Sequence, residues 1–321
     1  MSPPRRPRRL TVGLTVLAAA SAAALWVNGA LASVPQSRGG ASVPAGTRCP
    51  IGTSCGPLLW QDEFEPTADG RPNGAWWGFD LGATGWGNGE LQEYTDARAN
   101  SYLADDGTLR IVTRAGGIDS AAPYTSARLV SRDRVSVGYG YVEARIKLPT
   151  QPASGLWPAF WLRSQGEPWP DGGEIDVMET VNGAWGYSSN IHGGPTHWEQ
   201  YDWHSTGTVN DGEWHRFGVL IRPQRLQFFH DGRLVHTVSP AGMPAGGRWP
   251  FDVPDRRYYL ILNMAMGGAY PGTPDGSAAL PATMQVDYVR YWALRGIAVT
   301  TSSSRACSGI SACGGRPGDP G

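Results

Sequence analysis

The sequence contains no G-x-S-x-G elbow, no Cys pair at the C-x₂₋₄-C spacing of zinc ribbons, no basic stripe and no internal repeat at solenoid or propeller periods. These absences set aside a serine hydrolase of the α/β type, a cysteine-rich zinc module, a nucleic-acid binder and a repeat array. Beyond residue 25 there is also no apolar run long enough to span a bilayer. Long helices are disfavoured too, because 44 glycines and 26 prolines interrupt the 321 residues too often. What remains is a chain of short, punctuated segments, with room for one large β domain.

The N-terminus is of a different character. Arg5, Arg6, Arg8 and Arg9 precede an apolar run from Leu10 to Leu25, and Ala30-Leu31-Ala32 follows as a small-x-small cleavage site. Residues 1–32 therefore read as an export signal, by the Sec or the twin-arginine route, with a single-pass anchor as the rival. Removing them takes away four arginines and no acid, so the formal balance becomes (27 − 4) − 28 = −5. An exported, mildly acidic protein with no nucleic-acid partner and no membrane contact in its mature form is expected, as a monomer.

Residues 33–57 are rich in Pro, Gly and Ser and read as a flexible tail, as do 295–321, which leaves 58–294 as the single domain. The four cysteines, Cys49, Cys55, Cys307 and Cys313, form two equally spaced pairs outside that domain. Local bridges Cys49–Cys55 and Cys307–Cys313 each close a short loop; pairing of one end with the other is the alternative.

Within 58–294 the pattern is β. Tyr141–Leu148 alternates Val142, Ala144, Ile146 and Leu148 with Tyr141, Glu143, Arg145 and Lys147, a period of two with one apolar face. Further strands are expected at Leu109–Arg114, Arg128–Val137, Phe217–Ile221, Leu226–His230, Tyr258–Met264 and Met284–Trp292. Asp231-Gly232 is a two-residue hairpin signal. Many short strands with such turns point to an all-β sandwich or barrel. Tryptophan is abundant, with 14 in the chain. Some of these rings serve packing, and the rest offer flat faces on which sugar rings stack.

The chemistry concentrates in Gly172-Gly173-Glu174-Ile175-Asp176-Val177-Met178-Glu179. Three acids in six residues are costly on a strand unless they face solvent or work, and here Trp157-Pro158-Ala159-Phe160-Trp161-Leu162 precedes them. On a regular strand Glu174 and Asp176 share a face and Glu179 points the other way. A β-bulge, most naturally at Met178, returns Glu179 to their face and leaves the two glutamate Cα atoms roughly 13 Å apart, from which the side chains can lean together. Two facing carboxyls are the machinery of glycoside hydrolysis, at about 5–5.5 Å for retention and wider for inversion.

The Glu-Ile-Asp-x-x-Glu run with its Trp-Pro-Ala-Phe-Trp-Leu prelude resembles glycoside hydrolase family 16, in its laminarinase-like endo-β-1,3-glucanase branch. Trp86–Gln92, Tyr124–Arg128, Tyr141–Pro149, Tyr259–Gly268 and Met284–Arg290 match further blocks in the family's order. The resemblance implies a concanavalin A-like jelly roll of two curved antiparallel sheets with a concave substrate groove. It implies retention, with Glu174 as nucleophile, Glu179 as general acid/base and Asp176 between them splitting their pKa values, and no cofactor in the chemistry. It also implies β-glucan as substrate. Trp157, Trp161 and Trp169 become stacking walls, and Asn88, Arg128, His192 and Asn263 become partners for sugar hydroxyls. For Arg128 the alternative is a salt bridge to a cluster acid; for His192 it is a packed, hydrogen-bonded ring. The irregular spacing of His192, His197 and His204 argues against a metal site. A structural calcium would fall to Glu63, the carbonyl of Gly107 and Asp287, which otherwise read as ordinary surface positions. Arg222-Pro223 and Tyr270 depart from the family's usual residues and bear on subsites. The Met178 insertion favours β-1,3-glucan over mixed-linkage or other β-linked polysaccharides. A non-catalytic glucan-binding relative would lack the two glutamates.

Overall fold

The alternation along 141–148 buries what it promises, since Val142, Ala144, Ile146 and Leu148 all lie in the main core. A computed structural model describes residues 48–116, 122–150, 153–205 and 208–296. It places that strand, Gly140–Lys147, inside the larger of two sheets. In order, this sheet runs Arg233–Val238, Arg225–His230, His215–Arg222, Gly140–Lys147, Ala282–Leu294, Leu109–Ala115, Tyr124–Ser126 and Gln92–Tyr94. Cys55–Asp62 also pairs with Ala282–Leu294, and Ser101–Leu103 with Leu109–Ala115. The second sheet runs Trp198–His204, Tyr187–Gly193, Glu174–Glu179, Leu156–Ser164, Tyr258–Met266, Arg128–Val130 and Gly78–Phe79, with Ser136–Val137 beside Tyr258–Met266. All pairings are antiparallel except Gln92–Tyr94 with Tyr124–Ser126. This is the expected all-β jelly-roll sandwich. Its core forms where Phe160, Leu162, Leu260, Leu262 and Met264 of one sheet meet Phe217, Val219, Ile221, Met284 and Val286 of the other.

Two strands differ from expectation. Arg128–Val137 is broken after Val130 by a turn in which the Ser131 hydroxyl donates to the Val135 carbonyl at 2.6 Å and Asp133 takes a φ of +60°. The polar face of Gly140–Lys147 is not open either: Tyr141 and Glu143 are buried. Tyr141 belongs to a second small core with Cys55, Leu220, Trp292 and Leu294, against which Cys49, Ile51 and Leu58 pack, and Glu143 accepts from the Tyr141 and Tyr288 hydroxyls at 2.8 Å each. Cys49 and Cys55 are bridged, with Cα atoms 5.7 Å apart. Residues 48–57, assigned above to a tail, are therefore fastened to the sheet, and the boundary at residue 58 falls within the strand Cys55–Asp62. Cys307, Cys313 and the leader 1–32 lie outside the described residues. The hairpin at Asp231-Gly232 forms as expected, with φ values of +49° and +78°.

The residues expected to hold calcium do not fit it. Glu63 accepts two hydrogen bonds of 2.7 Å from Arg290, and Asp287 accepts one of 2.7 Å from Arg145. Both carboxylates are neutralised by guanidinium groups, whereas calcium needs their oxygens free. Gly107 is left as a turn residue at φ +75°.

Candidate active site

The strand Glu174–Glu179 carries a bulge. Against Leu156–Ser164, Trp161 pairs with Asp176 and Phe160 with Met178, so Val177 is passed over. Against Tyr187–Gly193, Asp176 pairs with Asn190 and Glu179 with Ser188, three steps against two. The sequence placed the extra residue at Met178; in the ladder with Trp161 it is Val177, and both side chains turn inward. Ile175, Val177 and Met178 belong to the main core, each worth roughly 1.5–3 kcal/mol of burial, which holds the register against a slip. Glu174, Asp176 and Glu179 are thereby left together on the outer face.

Cross-strand neighbours then assemble around them. Arg163 and His192 flank Glu174. Ala159 lies between Glu179 and Asn263, and Asn263 is followed by Arg128, so one row crosses four strands with a methyl group as its floor. Trp157 donates its indole N–H to Glu179 Oε1 at 2.9 Å and meets Tyr270 edge-on at 5.3 Å. Trp157 is thus tied to the carboxyl itself, a role its neighbouring apolar residues did not announce. His192 Nε2 lies 3.1 Å from Asp176 Oδ2 and 3.7 Å from Glu174 Oε1. Asp176 Oδ2 is buried without an aligned hydrogen bond. His192 Nδ1 contacts His197 Nε2 at 2.8 Å, and Trp169 packs on the His197 ring at 4.8 Å, so Trp169, His197 and His192 form one wall.

Several expected sugar contacts also bond within the protein. Asn263 accepts from Trp161 Nε1 at 2.7 Å and donates to Tyr94 Oη at 3.0 Å. Tyr94 in turn donates to Glu90, which also accepts from Gln92 and Asn88 at 2.7 and 3.0 Å. Asn88 and Asn263 are therefore the two ends of a network that fixes Trp161. Arg128 pairs with Asp80 at 3.2 Å, not with a cluster acid, and its guanidinium lies between the Trp86 and Trp161 rings at 4.9 and 4.7 Å. Gln92 and Tyr94 escaped the sequence reading because they bond far along the chain, to the Met266 N–H and to Asn263, and Glu90 because its role is to join them. Tyr201 and Ser188, each 3.3 Å from the Tyr270 hydroxyl, did so too. His204 is not near His192; it groups with Asp202 and His236.

The electrostatics divide the carboxyls. Burial, reinforced by the charge of Asp176, raises Glu174 from 4.5 to about 8, while His192, Arg163 and Arg128 pull it down. Burial raises Glu179 well above its ordinary value, with Asp176 and Glu174 adding to the rise and the Trp157 N–H opposing it. Asp176 is likewise raised well above normal by burial and then by Glu199. Three crowded carboxyls cannot all be charged at once. The cationic side of the cluster lies at Glu174, which ionises at lower cost, and Glu179 is the one that keeps its proton. A charged nucleophile beside a protonated acid is the pair that glycoside hydrolysis needs.

Known proteins agree with this geometry. The family description "Glycosyl hydrolases family 16" matches residues 89–290. The chain is 36% identical over 254 residues to the beta-glucanase of Rhodothermus marinus, covering 73% of this chain and 84% of that protein. It is 35% identical over 265 residues to glucan endo-1,3-beta-glucosidase A1 of Niallia circulans, covering 73% of this chain and 37% of that protein. Among solved structures, the endo-beta-1,3-glucanase from Pyrococcus furiosus superposes with a TM-score of 0.65 at 35% identity, covering 74% of this chain and 94% of that one. With the fold, the carboxylate strand and these likenesses in agreement, the chain belongs to family 16 of the glycosyl hydrolases.

Proposed function

We propose that this protein is an exported endo-hydrolase of β-1,3-glucan that works with retention of anomeric configuration. The bulge at Val177–Met178 carries the reading, because it alone sets Glu174 and Glu179 on one face. Glu174, ionised, attacks the anomeric carbon, and Glu179 gives its proton to the departing glycosidic oxygen as that bond breaks. The resulting ester between Glu174 and the sugar is then opened by water. Glu179, now a carboxylate, takes the water's proton, and Glu174 leaves as a carboxylate. Asp176 supports both steps by its charge and its place between the glutamates. No step needs a metal or cofactor.

The β-1,3 preference draws on the names of the relatives just cited and on the inserted residue in the carboxylate strand. A panel of laminarin, curdlan, lichenan, agarose and xyloglucan tests it: endo-cleavage should be strongest on the first two, and a preference for lichenan would move the assignment to mixed-linkage glucan. Proton NMR of fresh laminarin digests should show the β-anomer first, and an α-anomer burst would overturn retention. Export rests on the arginine-led apolar leader of residues 1–32. Sequencing the N-terminus of protein recovered from culture medium checks it, with cleavage expected after Ala32.

A further inference from the structure

All six histidines of the chain are described, and they lie in three pairs: His192 with His197, His204 with His236, and His215 with His230. The first pair belongs to the cleft. In the second, both rings are engaged by the buried Ser189 hydroxyl, at 2.8 and 3.0 Å. The third pair has no part in the reaction. It lies at one end of the larger sheet, where His215 opens one strand, His230 closes the next, and Asp231 starts the hairpin that follows.

Three atoms converge there. His215 Nδ1 lies 2.9 Å from Asp231 Oδ2, His230 Nε2 lies 3.5 Å from that same oxygen, and the two ring nitrogens are 3.4 Å apart. Donors held by a tetrahedral zinc ion at 2.0–2.2 Å stand about 3.3 Å from one another. The triangle is therefore close to one face of such a tetrahedron. The rings are inclined at 52° with centroids 5.2 Å apart, near the roughly 5 Å of two imidazoles that share a tetrahedral ion.

The surroundings hold these atoms in place. His215 Nε2 lies 3.2 Å from Asp211 Oδ1, a carboxylate that directs the ring's proton to Nε2 and its lone pair to Nδ1. Asp231 Oδ1 is fixed separately by the Arg216 N–H at 2.8 Å, which leaves Oδ2 to the histidines; the Arg216 guanidinium is 3.9 Å from Oδ1. The His230 ring stacks on Phe217 at 5.3 Å and 4° and meets Tyr187 edge-on. The histidine side chains are 14% and 10% exposed and the aspartate 39%, so the open corner faces solvent, where water supplies the fourth ligand. Two imidazoles and one carboxylate suit a borderline ion and do not suit calcium or magnesium.

We propose that His215, His230 and Asp231 bind a divalent ion of the zinc class, with Asp211 positioning His215 from behind. The ion pins the Asp231 hairpin to the start of the neighbouring strand and takes no part in hydrolysis. The competing account is a protonated His215 clamped between Asp211 and Asp231 with no ion.

The test uses the mature protein, stripped with EDTA and exchanged into chelator-free buffer. Zinc chloride is titrated by calorimetry, bound zinc is counted by mass spectrometry, and melting is followed in parallel. One equivalent should bind and raise Tm. Asp231→Asn keeps the acceptor for Arg216, and His230→Phe keeps the stack on Phe217. Each should weaken binding at least as much as the roughly 10–100-fold that loss of an outer partner costs, and Asp211→Asn should fall within that range. All three variants should hydrolyse glucan normally and melt like wild type when zinc is absent, which separates lost binding from lost folding. Absence of stoichiometric zinc overturns the proposal in favour of the protonated clamp. Binding that survives both ligand variants, or that disappears instead in His197→Ala, overturns it by placing the ion elsewhere.

Discussion

Replacing Trp157 by phenylalanine removes one hydrogen bond at the reacting centre. An aromatic ring is kept beside Tyr270, while the indole N–H that reaches Glu179 Oε1 at 2.9 Å is lost together with part of the ring area. A hydrogen bond to a charged group contributes about 1.5–3 kcal/mol. It strengthens as Glu179 gives up its proton, so with half the charge developed at the transition state the loss is about 0.7–1.5 kcal/mol, or roughly 3- to 13-fold in kcat/KM. The N–H lowers the pKa of Glu179; without it the acid keeps its proton to higher pH, and the alkaline limb of the pH profile moves upward. The assay is kcat/KM from acid to alkaline pH on laminarin oligosaccharides and on an aryl β-glycoside whose leaving group needs no proton. The variant should be impaired on the oligosaccharide and close to wild type on the aryl substrate. Equal loss on both substrates, or an alkaline limb that stays or falls, would refute the assignment of Glu179 as acid and of Trp157 as its partner.

Three further outcomes are expected. Glu174→Gln should abolish hydrolysis while circular dichroism stays native, and it should also stabilise the fold. A carboxyl raised from 4.5 to about 8 loses folded-state stability as pH rises between those values, so the gain should be absent near pH 4 and reach at most about 3 kcal/mol at pH 7, read as Tm at each pH. Asn263→Ala strands the Trp161 N–H and takes one of two partners from the Tyr94 hydroxyl, which keeps Glu90; a cost of about 1–3 kcal/mol for the group left unpaired should appear in urea melts, with KM for glucan rising more than kcat falls. Calcium chloride should leave Tm unchanged, because Arg290 and Arg145 already neutralise Glu63 and Asp287; a calcium-dependent rise would show that those pairs open.

Much of this was legible in the residues. Alternation identified Gly140–Lys147, and Asp231-Gly232 identified its hairpin, because both depend on neighbours a few residues away. The outward set of Glu174, Asp176 and Glu179 also followed from strand geometry once one extra residue was allowed. Which residue is passed over was not legible: Val177 and Met178 are both apolar, and the ladder with Trp161 decides. The hydrogen bonds of Asn263 were not legible either, because its partners Trp161 and Tyr94 lie on other strands, whereas Asn88 reaches Glu90 only two residues on. The outer face of Gly140–Lys147 misled for the same reason, since Tyr141 reads as exposed until Cys49, Ile51 and Leu58 pack against its cluster, and Glu143 until the Tyr288 hydroxyl bonds it.

The two consecutive inward side chains at Val177 and Met178 give the strand a parity. Substitution at either position disturbs packing by degrees, whereas loss of one of them closes the bulge and restores plain alternation from Asp176 to Glu179. Glu179 would still share the outer face with Asp176, with a single inward side chain against Phe160 between them. The bulge therefore sets spacing as well as facing: a strand shorter by one residue keeps its acids on one side but draws the two glutamates about 3.3 Å closer together.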